Sequence, residues 1–182
     1  MSEIKEISLR DSLPVRIETA RLELELPSMA DLAELVPLAN NDNVTRWTAR
    51  MPYPYGQNDG ARFIAQARRM EDERDYSIRN EDGAFVGVIS LMFYDDRPAE
   101  LGYWLGEPFW GRGYGTEAVE ALLAAARASG RFDVLAARAM AGNTASLRIL
   151  ERAGFLRISE EIGDCGRNKG QPIVYLQLEV AR

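Results

Sequence analysis

The stretch GEPFWGRGYG, from Gly106 to Gly115, constrains the fold of this chain more than any other. It carries four glycines in ten positions and lies between an alternating segment, AELGYWL, and a run of good helix formers, TEAVEALLAAARAS. A strand, a glycine-rich loop and a helix N-terminus in this order direct free backbone N–H groups and the positive end of the helix dipole toward one point. The stretch therefore predicts an anion site, and phosphate is its natural ligand.

Two common phosphate-binding motifs do not fit this stretch. Residues 106–113 have the spacing of a P-loop, but Arg112 stands in place of its lysine and Gly113 in place of its hydroxyl residue. A dinucleotide-binding fingerprint requires Gly or Ala three places after Gly113, where this chain has Thr116. The glycines belong to neither motif. Phosphoryl transfer is a rival class that predicts Mg²⁺-dependent nucleotide binding.

The rest of the chain predicts a succession of strands and helices. Patterning and turn clusters predict strands over 21–26, 76–78, 85–94, 99–105, 134–140, 156–162 and 173–180, and helices over 28–39, 58–70 and 115–129, with a short helix capped by Asn143 or Thr144. The acidic run 71–75, EDERD, is interpreted as a solvated turn. We expect an α/β fold with a mixed, mostly antiparallel sheet of about seven strands and helices on both faces. We expect a single domain over residues 1–182, with 1–17 as an N-terminal extension.

Composition argues against several classes of partner. Lys and Arg number 22 against 28 Asp and Glu, and the net charge of −6 disfavours a protein whose main affinity is for nucleic-acid backbones. The longest small and apolar run, 121–126, is far shorter than the roughly 20 residues that span a bilayer. Cys165 is the only cysteine, which excludes an intrachain disulfide and fits a reducing compartment. We expect a cytoplasmic protein, monomer or homodimer, without direct nucleic-acid or membrane partners.

The chain contains no histidine. This removes the side chain that proteins use most often as general base and as metal ligand. Any acid–base chemistry must use carboxylates, hydroxyl groups, Lys or water, and we expect no metal. Cys165 lies in a polar, glycine-rich loop without a group to activate it, so we do not expect it to act as a nucleophile.

Two segments carry a resemblance to a known family. The sequences LGYWLGEPFWGRGYGTEAV and, about 25 residues on, GNTASLRILERAGF resemble the two acetyl-coenzyme A (acetyl-CoA) motifs of the GNAT acetyltransferase superfamily. The opening ETARLELELPSMADLAELVPL and the aromatic loop with MPYPY are similar to its Rim-type branch, the N-terminal acetyltransferases of ribosomal proteins. The resemblance covers nearly the whole chain from Glu18. One position departs from the superfamily pattern, because Trp110 stands where Gln or Arg is usual.

The resemblance implies where acetyl-CoA binds. Backbone amides of the loop would hold the pyrophosphate, and Arg112 could add a charge-assisted bond or remain solvated. The end of the strand, near Tyr103 and Leu105, would pair through its backbone with the pantetheine arm. The residues implied in cofactor binding are Tyr103, Trp104, Leu105, Trp110, Gly111, Arg112, Gly113, Tyr114, Gly115, Thr116, Asn143 and Ser146.

The catalytic candidates are Glu100 and Ser146. The resemblance suggests that Ser146 donates a proton or hydrogen bond to the departing thiolate, and that Asn143 binds pantetheine, although helix capping explains Asn143 nearly as well. An acceptor ammonium must lose a proton before it attacks, and Glu100 is the leading candidate base because it lies on the strand next to the expected thioester. The alternatives are that Glu100 is an exposed edge carboxylate and that Asp95 or Asp96 acts through water.

The implied reaction is direct acetyl transfer to a primary amine. We expect the acceptor to be the N-terminal α-amine of a protein or peptide, with a small polyamine, amino acid or aminoglycoside as the alternative. Trp47, Tyr53 and Tyr55, in the aromatic loop, are expected to shape the acceptor pocket or to pack the loop on the sheet. A rival outside enzymology is a coenzyme A-binding module without turnover.

Overall fold

The computed structural model describes residues 8–164 and 166–180. Its strands are β1 Arg16–Glu18, β2 Leu22–Glu25, β3 Glu73–Asn80, β4 Phe85–Met92, β5 Ala99–Leu105, β6 Val134–Met140, β7 Leu156–Ile162 and β8 Pro172–Glu179. Its α-helices are α1 Leu32–Ala39, α2 Asp42–Thr45, α3 Gln57–Ala67, α4 Tyr114–Ser129 and α5 Thr144–Arg152, with short 3₁₀ turns at Met29–Asp31, Glu107–Phe109 and Gly166–Asn168. No helix within these ranges is long and apolar enough to cross a membrane.

All eight strands belong to one sheet, in the order β1-β2-β3-β4-β5-β6-β8-β7. Neighbouring strands are antiparallel except β5 and β6, which are parallel. The expected mixed, mostly antiparallel sheet is confirmed. It has one strand more than expected, because the three-residue β1 pairs with β2 and is too short to show a pattern in the sequence.

Helices cover both faces of the sheet, as predicted. On one face α4 and α5 bury an apolar stripe in the main core, with Ala118, Val119, Leu122, Leu123, Ala126, Leu147 and Leu150. On the other face α1 and the segment before α3 pack on β4 and β5, where Leu35, Ala39, Tyr55, Phe85 and Val88 form a second, smaller cluster. The sheet thus separates two environments, and the ends of β5 and β6 border both.

The acidic run 71–75 is not the solvated turn that the sequence suggested. β3 begins at Glu73, three residues earlier than predicted, and its register pairs Glu73 with Met92 and Asp75 with Ser90. Arg74, between the two acids, is buried because its guanidinium donates to the carbonyls of Arg10 and Leu13 at 3.2 and 3.0 Å. A charged sequence forms a strand here because each charge has a tertiary partner.

Part of the predicted N-terminal extension packs on the sheet. Leu13 is only 2% exposed and belongs to the main core. The hydroxyl of Tyr76 donates to the carbonyl of Pro14 at 2.6 Å, which ties this segment to β3. The boundary at residue 17 and the single-domain assignment stay predictions.

Candidate active site

The parallel strands β5 and β6 are paired at their N-terminal ends and separate toward their C-terminal ends, which leaves an opening between them. They pair only where Ala99–Leu101 faces Leu135–Ala137, although β5 continues to Leu105 and β6 to Met140. The N–H of Gly106 points the other way, to β4, where it donates to the carbonyl of Val86 at 2.8 Å. Since N–H and C=O point to opposite sides of a trans peptide, the carbonyl of Leu105 faces the opening between β5 and β6.

The glycine-rich loop presents free donors at one end of this opening. Gly111 and Gly113 have φ of 73° and 82°, a conformation that glycine adopts without strain, and Gly113 caps the N-terminus of α4. The amides of residues 111–116 donate no hydrogen bond to any described residue, and the first intrahelical bond runs from Glu117 to Gly113. The loop and the first turn of α4 can therefore bind an anion, as their sequence predicts.

Arg21 holds this loop from outside, a role that sequence reasoning missed. Its Nη1 donates to the carbonyl of Arg112 at 2.9 Å, and its Nη2 lies 2.7 Å from the carboxylate of Glu117. Thr19 adds a hydroxyl bond of 2.6 Å to Glu117. Burial works to raise the pKa of Glu117, but the hydrogen bonds from Thr19 and Arg21 outweigh it and the pKa is lowered. No local pattern could indicate Arg21, because its partners lie more than 90 residues away.

Trp110 has a specific contact. Its indole Nε1 donates to the Leu105 carbonyl at 2.8 Å, although the side chain is 42% exposed. Trp110 therefore fastens the loop to the end of β5 at the carbonyl that faces the opening. Arg112 is exposed, and its guanidinium lies 5.9 Å from the centre of the Phe109 ring.

Ser146 lies in the first turn of α5 and contacts Tyr103 of β5. The Tyr103 hydroxyl donates to Ser146 Oγ at 3.1 Å, while Asn143 Oδ1 accepts the N–H of Ser146 at 3.2 Å and caps the helix. Burial raises the pKa of Tyr103 to about 12, against the effect of Ser146, so the phenol stays protonated. Because Ser146 accepts this bond, its own hydroxyl hydrogen is available to another acceptor.

A second cavity, of about 660 Å³, lies where the aromatic loop and α3 cover the sheet. We call it the acceptor cavity, after the role proposed for it below. Trp47 and Tyr55 of the aromatic loop line it, whereas Tyr53 is half exposed and lies under the guanidinium of Arg167. Its charged lining residues are Arg50, Asp59, Arg62, Asp72, Glu73, Asp75, Glu100 and Arg138. Gly102, Tyr103 and Trp104 of β5 also line it, so it reaches the strand that borders the opening.

Glu100 lies in this cavity and is not an exposed edge carboxylate. It is 8% exposed, and its Oε1 lies 2.8 Å from Nε of Arg138 on β6. Asp95 and Asp96 are exposed in the turn between β4 and β5 and do not line the cavity. Cys165, which is not expected from its sequence context to act as a nucleophile, lies outside the described residues.

Asp75 is the carboxyl group that sequence reasoning missed. It is 4% exposed and accepts a bond of 2.6 Å from the hydroxyl of Ser90 on β4. Burial, with the nearby carboxylate of Glu73, raises the pKa of Asp75 to about 7, against the effects of Ser90 and Arg50. A strand of only three residues at 76–78 was short for a partner of the strand predicted at 85–94, and that mismatch could have indicated an earlier start for β3.

Comparison with known families agrees with this geometry. Residues 21–156 match the model of the acetyltransferase (GNAT) domain. The chain belongs to the GNAT acetyltransferase family. The matched segment contains the GNAT opening between β5 and β6, the glycine-rich loop and Ser146, together with Asp75 and Ser90.

Individual proteins are similar to this GNAT chain over different lengths. YdaF of Bacillus subtilis (strain 168), a candidate ribosomal N-acetyltransferase by its name, is 39% identical over 77 residues, which are 41% of this chain and 42% of YdaF. The structure of RimL, a ribosomal-protein alpha-N-acetyltransferase in complex with coenzyme A, superposes with a TM-score of 0.77 at 18% identity, over 92% of this chain and 97% of RimL. Spermidine N-acetyltransferase of Vibrio cholerae, in complex with coenzyme A and spermine, gives 0.76 at 16% identity, over 88% and 96%. At such identities the two structures show the shared fold alone.

Proposed function

We propose that this chain transfers the acetyl group of acetyl-CoA directly to a primary amine, with both substrates bound at once. The observation that carries the proposal is the position of β5. One edge of its C-terminal half faces the opening beside the glycine-rich loop, and residues of the same half line the acceptor cavity. Two substrates that enter from these two directions meet at Gly102–Trp104.

The residues at the opening fit coenzyme A. The free amides of residues 111–116 would hold its pyrophosphate at the N-terminus of α4. The carbonyl of Leu105 faces the opening and would pair with the pantetheine arm, and Trp110 fixes the direction of this carbonyl. Arg112, an exposed residue of the loop, would add a charge-assisted bond to phosphate oxygens. These contacts use mostly backbone, so they bind the cofactor with little dependence on side-chain identity.

The chemistry requires two protons to leave the acceptor ammonium and one to reach the thiolate, so that one proton goes to solvent. The bound ammonium loses a proton to a base, and the resulting amine attacks the thioester carbonyl carbon. The C–S bond then breaks as the C–N bond is completed, and the second amine proton is lost while the thiolate gains one. Holding the two reactants in this geometry supplies much of the rate, with acid–base groups adding to it. Glu100 and Asp75 are the buried carboxyl groups of the cavity that can serve as base.

Ser146 is the residue that we propose assists the leaving thiolate. Tyr103 donates to Ser146 Oγ, which leaves the Ser146 hydrogen to point toward the sulfur. The pair therefore acts as one donor, in which the buried phenol orients the serine. Asn143 contributes by capping the helix that carries Ser146.

We propose a protein or peptide N-terminal α-amine as the acceptor. The support is the Rim-type resemblance of the motifs and the names of YdaF and RimL. A small polyamine is the second candidate, and it is favoured by the number of carboxyl groups that line the cavity. Both acceptors present a cation that must lose a proton before attack.

A panel of acceptors with thiol detection tests this proposal. We expect release of free coenzyme A from acetyl-CoA only when a suitable amine is present, with N-terminal peptides ahead of polyamines, amino acids and aminoglycosides. Coenzyme A that raises Tm without any amine-dependent thiol release would instead indicate a binding module. If ATP with Mg²⁺ raises Tm and coenzyme A does not, phosphoryl transfer replaces acetyl transfer.

Ser146→Ala tests the proposed thiolate donor. We expect kcat to fall about tenfold to a hundredfold, because a positioned acid–base group typically contributes at least this much. The Kd for coenzyme A, measured by calorimetry, should stay within about twofold, since the variant keeps the N–H that Asn143 caps. Ser129→Ala, near the C-terminus of α4, is the matched control. An unchanged kcat in Ser146→Ala would remove this residue from the mechanism.

A further inference from the structure

A row of three residues crosses the sheet from the acceptor cavity to the opening between β5 and β6. The register pairs Asp75 with Ser90 and Ser90 with Gly102. Gly102 is the first residue of β5 beyond its pairing with β6. Neighbouring strands lie about 4.8 Å apart, so Ser90 lies one strand spacing from Gly102, and Gly102 borders the opening on its other side.

The hydrogen bond in this row has a direction. Ser90 donates its only hydroxyl hydrogen to Asp75 Oδ1 at 2.6 Å, which leaves the lone pairs of Ser90 Oγ to accept from another donor. Gly102 has no side chain to cover Ser90 from the opening. A Cβ at Gly102 would lie only 3.2 Å from the Met92 methyl group. An ammonium at this position would find Ser90 Oγ as a hydrogen-bond acceptor.

Glu100, the other buried carboxyl group, is engaged elsewhere. Its carboxylate is in an ion pair with Arg138, at 2.8 Å. An acceptor ammonium would have to share Glu100 with this guanidinium or displace it. Asp75, in contrast, is in no such ion pair with a described residue: it accepts from the neutral hydroxyl of Ser90, and the nearby Arg50 is paired with Glu73 at 2.7 Å.

On the basis of the proposed function, we propose that Ser90 and Asp75 form the relay that deprotonates the acceptor amine. The ammonium passes a proton to Ser90 Oγ while the Ser90 hydroxyl hydrogen passes to Asp75 Oδ1. The N–H bond pair stays on nitrogen, and this neutral amine attacks the thioester. Asp75 returns its proton to solvent after the product leaves. Ser90 contacts the substrate, and Asp75 acts through Ser90.

The charges around Asp75 suit this role. Burial raises its pKa to about 7, so the group is ionised above neutral pH and still a stronger base than an exposed carboxylate. The other titratable and charged groups of the cavity come from several elements around it. They are Arg50 and Tyr55 before α3, Asp59 and Arg62 of α3, Asp72 just before β3, Glu73 of β3, Glu100 and Tyr103 of β5, and Arg138 of β6. Among these, Glu73 raises the pKa of Asp75 and Arg50 opposes the rise.

The pH dependence of kcat, at saturating substrates, tests the relay. In the wild type, kcat should rise with pH along a limb centred near pH 7. The position of this limb should be the same with a peptide α-amine (ordinary pKa about 8) as with a polyamine (about 10), because it reports the titration of a protein group and not of the acceptor. Asp75→Asn should abolish this limb and lower kcat at least about tenfold. Ser90→Ala should lower kcat by a similar factor, with the coenzyme A Kd within about twofold in both variants. Glu100→Gln should keep the limb.

Asp96→Asn, in the exposed turn between β4 and β5, is the matched control and should behave as wild type. If the wild type is active and either Asp75→Asn or Ser90→Ala shows the same rising limb and the same kcat as the wild type, the relay is wrong but the proposed function stands. Loss of the limb in Glu100→Gln, with the limb kept in Asp75→Asn, also overturns it and assigns the base to Glu100. If Asp75→Asn does not fold, Ser90→Ala decides the question by itself. A wild type that acetylates no acceptor overturns the proposed function together with the relay.

Discussion

The two sides of the β5–β6 opening are built in different ways. On the cofactor side, most of the site comes from one continuous segment, β5 and the loop to α4, and the start of α5 completes it. On the acceptor side, the lining comes from the loop before α3, from α3 and from β3 to β6. The first side presents mostly backbone groups to its proposed ligand, and the second side presents mostly side chains.

This difference decides what each side tolerates. A site of backbone amides depends on glycines that allow the required φ and on contacts that hold the loop, such as Arg21 to Arg112. A site of buried side chains depends on burial and on neighbouring charges, as at Asp75. Backbone substitutions should therefore affect cofactor binding most, and charge substitutions should affect pH dependence most.

Gly113→Val should have the largest effect on the cofactor side. Gly113 has φ of 82°, where a β-branched residue is strained, and a Cβ would lie 3.2 Å from Arg21 Nη2. We expect the Kd for coenzyme A to rise at least about a hundredfold, which corresponds to about 2.7 kcal/mol. Titration calorimetry measures it.

Gly130→Val is the matched control for backbone strain. Gly130 ends the same helix at φ of 63°, and a Cβ there would have no described atom within 4 Å apart from those of its own residue and its neighbours in the chain. It should keep the wild-type Kd. Equal losses in both variants would show that general strain in α4, and not the loop, weakens binding.

Arg21→Ala should have an intermediate effect. Loss of the donor to the Arg112 carbonyl frees the loop to turn, and a charge-assisted hydrogen bond of this kind is worth about 1.5 kcal/mol. We expect the Kd for coenzyme A to rise about tenfold while kcat changes less than about twofold. Arg16→Ala, which removes exposed ion pairs on neighbouring β1, should leave both constants unchanged. An unaltered Kd in Arg21→Ala would show that the loop holds its shape without this contact.

Asp75→Asn should also change the pH dependence of stability, which tests the acceptor side without any substrate. The pKa of Asp75 is about 7 in the folded protein and about 4 in an unfolded chain, so the folded state holds the proton more strongly. The contribution of Asp75 to stability therefore falls as pH rises from about 4 to 7. The variant avoids this loss, and its Tm relative to wild type should be about 5–10 °C higher at pH 8 than at pH 5.

Thermal unfolding at the two pH values measures this shift, with Asp96→Asn as the exposed control. A Tm difference between Asp75→Asn and wild type that is the same at pH 5 and pH 8 would show that Asp75 titrates like an exposed carboxylate. In that case the acceptor side would have no buried carboxyl group with a raised pKa at Asp75, and this difference from the cofactor side would disappear.

The elements with strong local patterns were predicted at their observed positions. The strands at 99–105, 134–140 and 156–162 have the predicted bounds, and Asn143 caps α5 as expected. β1 and the four-residue α2 were missed because such short elements carry no period of their own. The start of β3 was missed because its residues are charged, which is typical of an exposed turn, whereas in the fold each of these charges has a tertiary partner.

The candidate site divides in the same way. The residues proposed to bind the cofactor could be named from the glycine spacing and the GNAT motifs, and the structure gathers the Gly111–Thr116 loop, Leu105 and Ser146 around one opening. The contact of Trp110 had no sequence explanation, because it depends on which way the Leu105 carbonyl points. The Tyr103–Ser146 hydrogen bond had none either, because it joins a strand to a helix 43 residues later.

The sequence by itself determined the family, the alternation of strands and helices, and the loop that presents its amides, because backbone conformation follows from glycine and from local periodicity. Only the tertiary structure decided which carboxyl groups are buried and which are paired. Arg138 of β6 forms an ion pair with Glu100, and Ser90 of β4 donates a hydrogen bond to Asp75. Burial and charge pairing set the basicity of a carboxyl group, and both depend on residues that are distant in the chain.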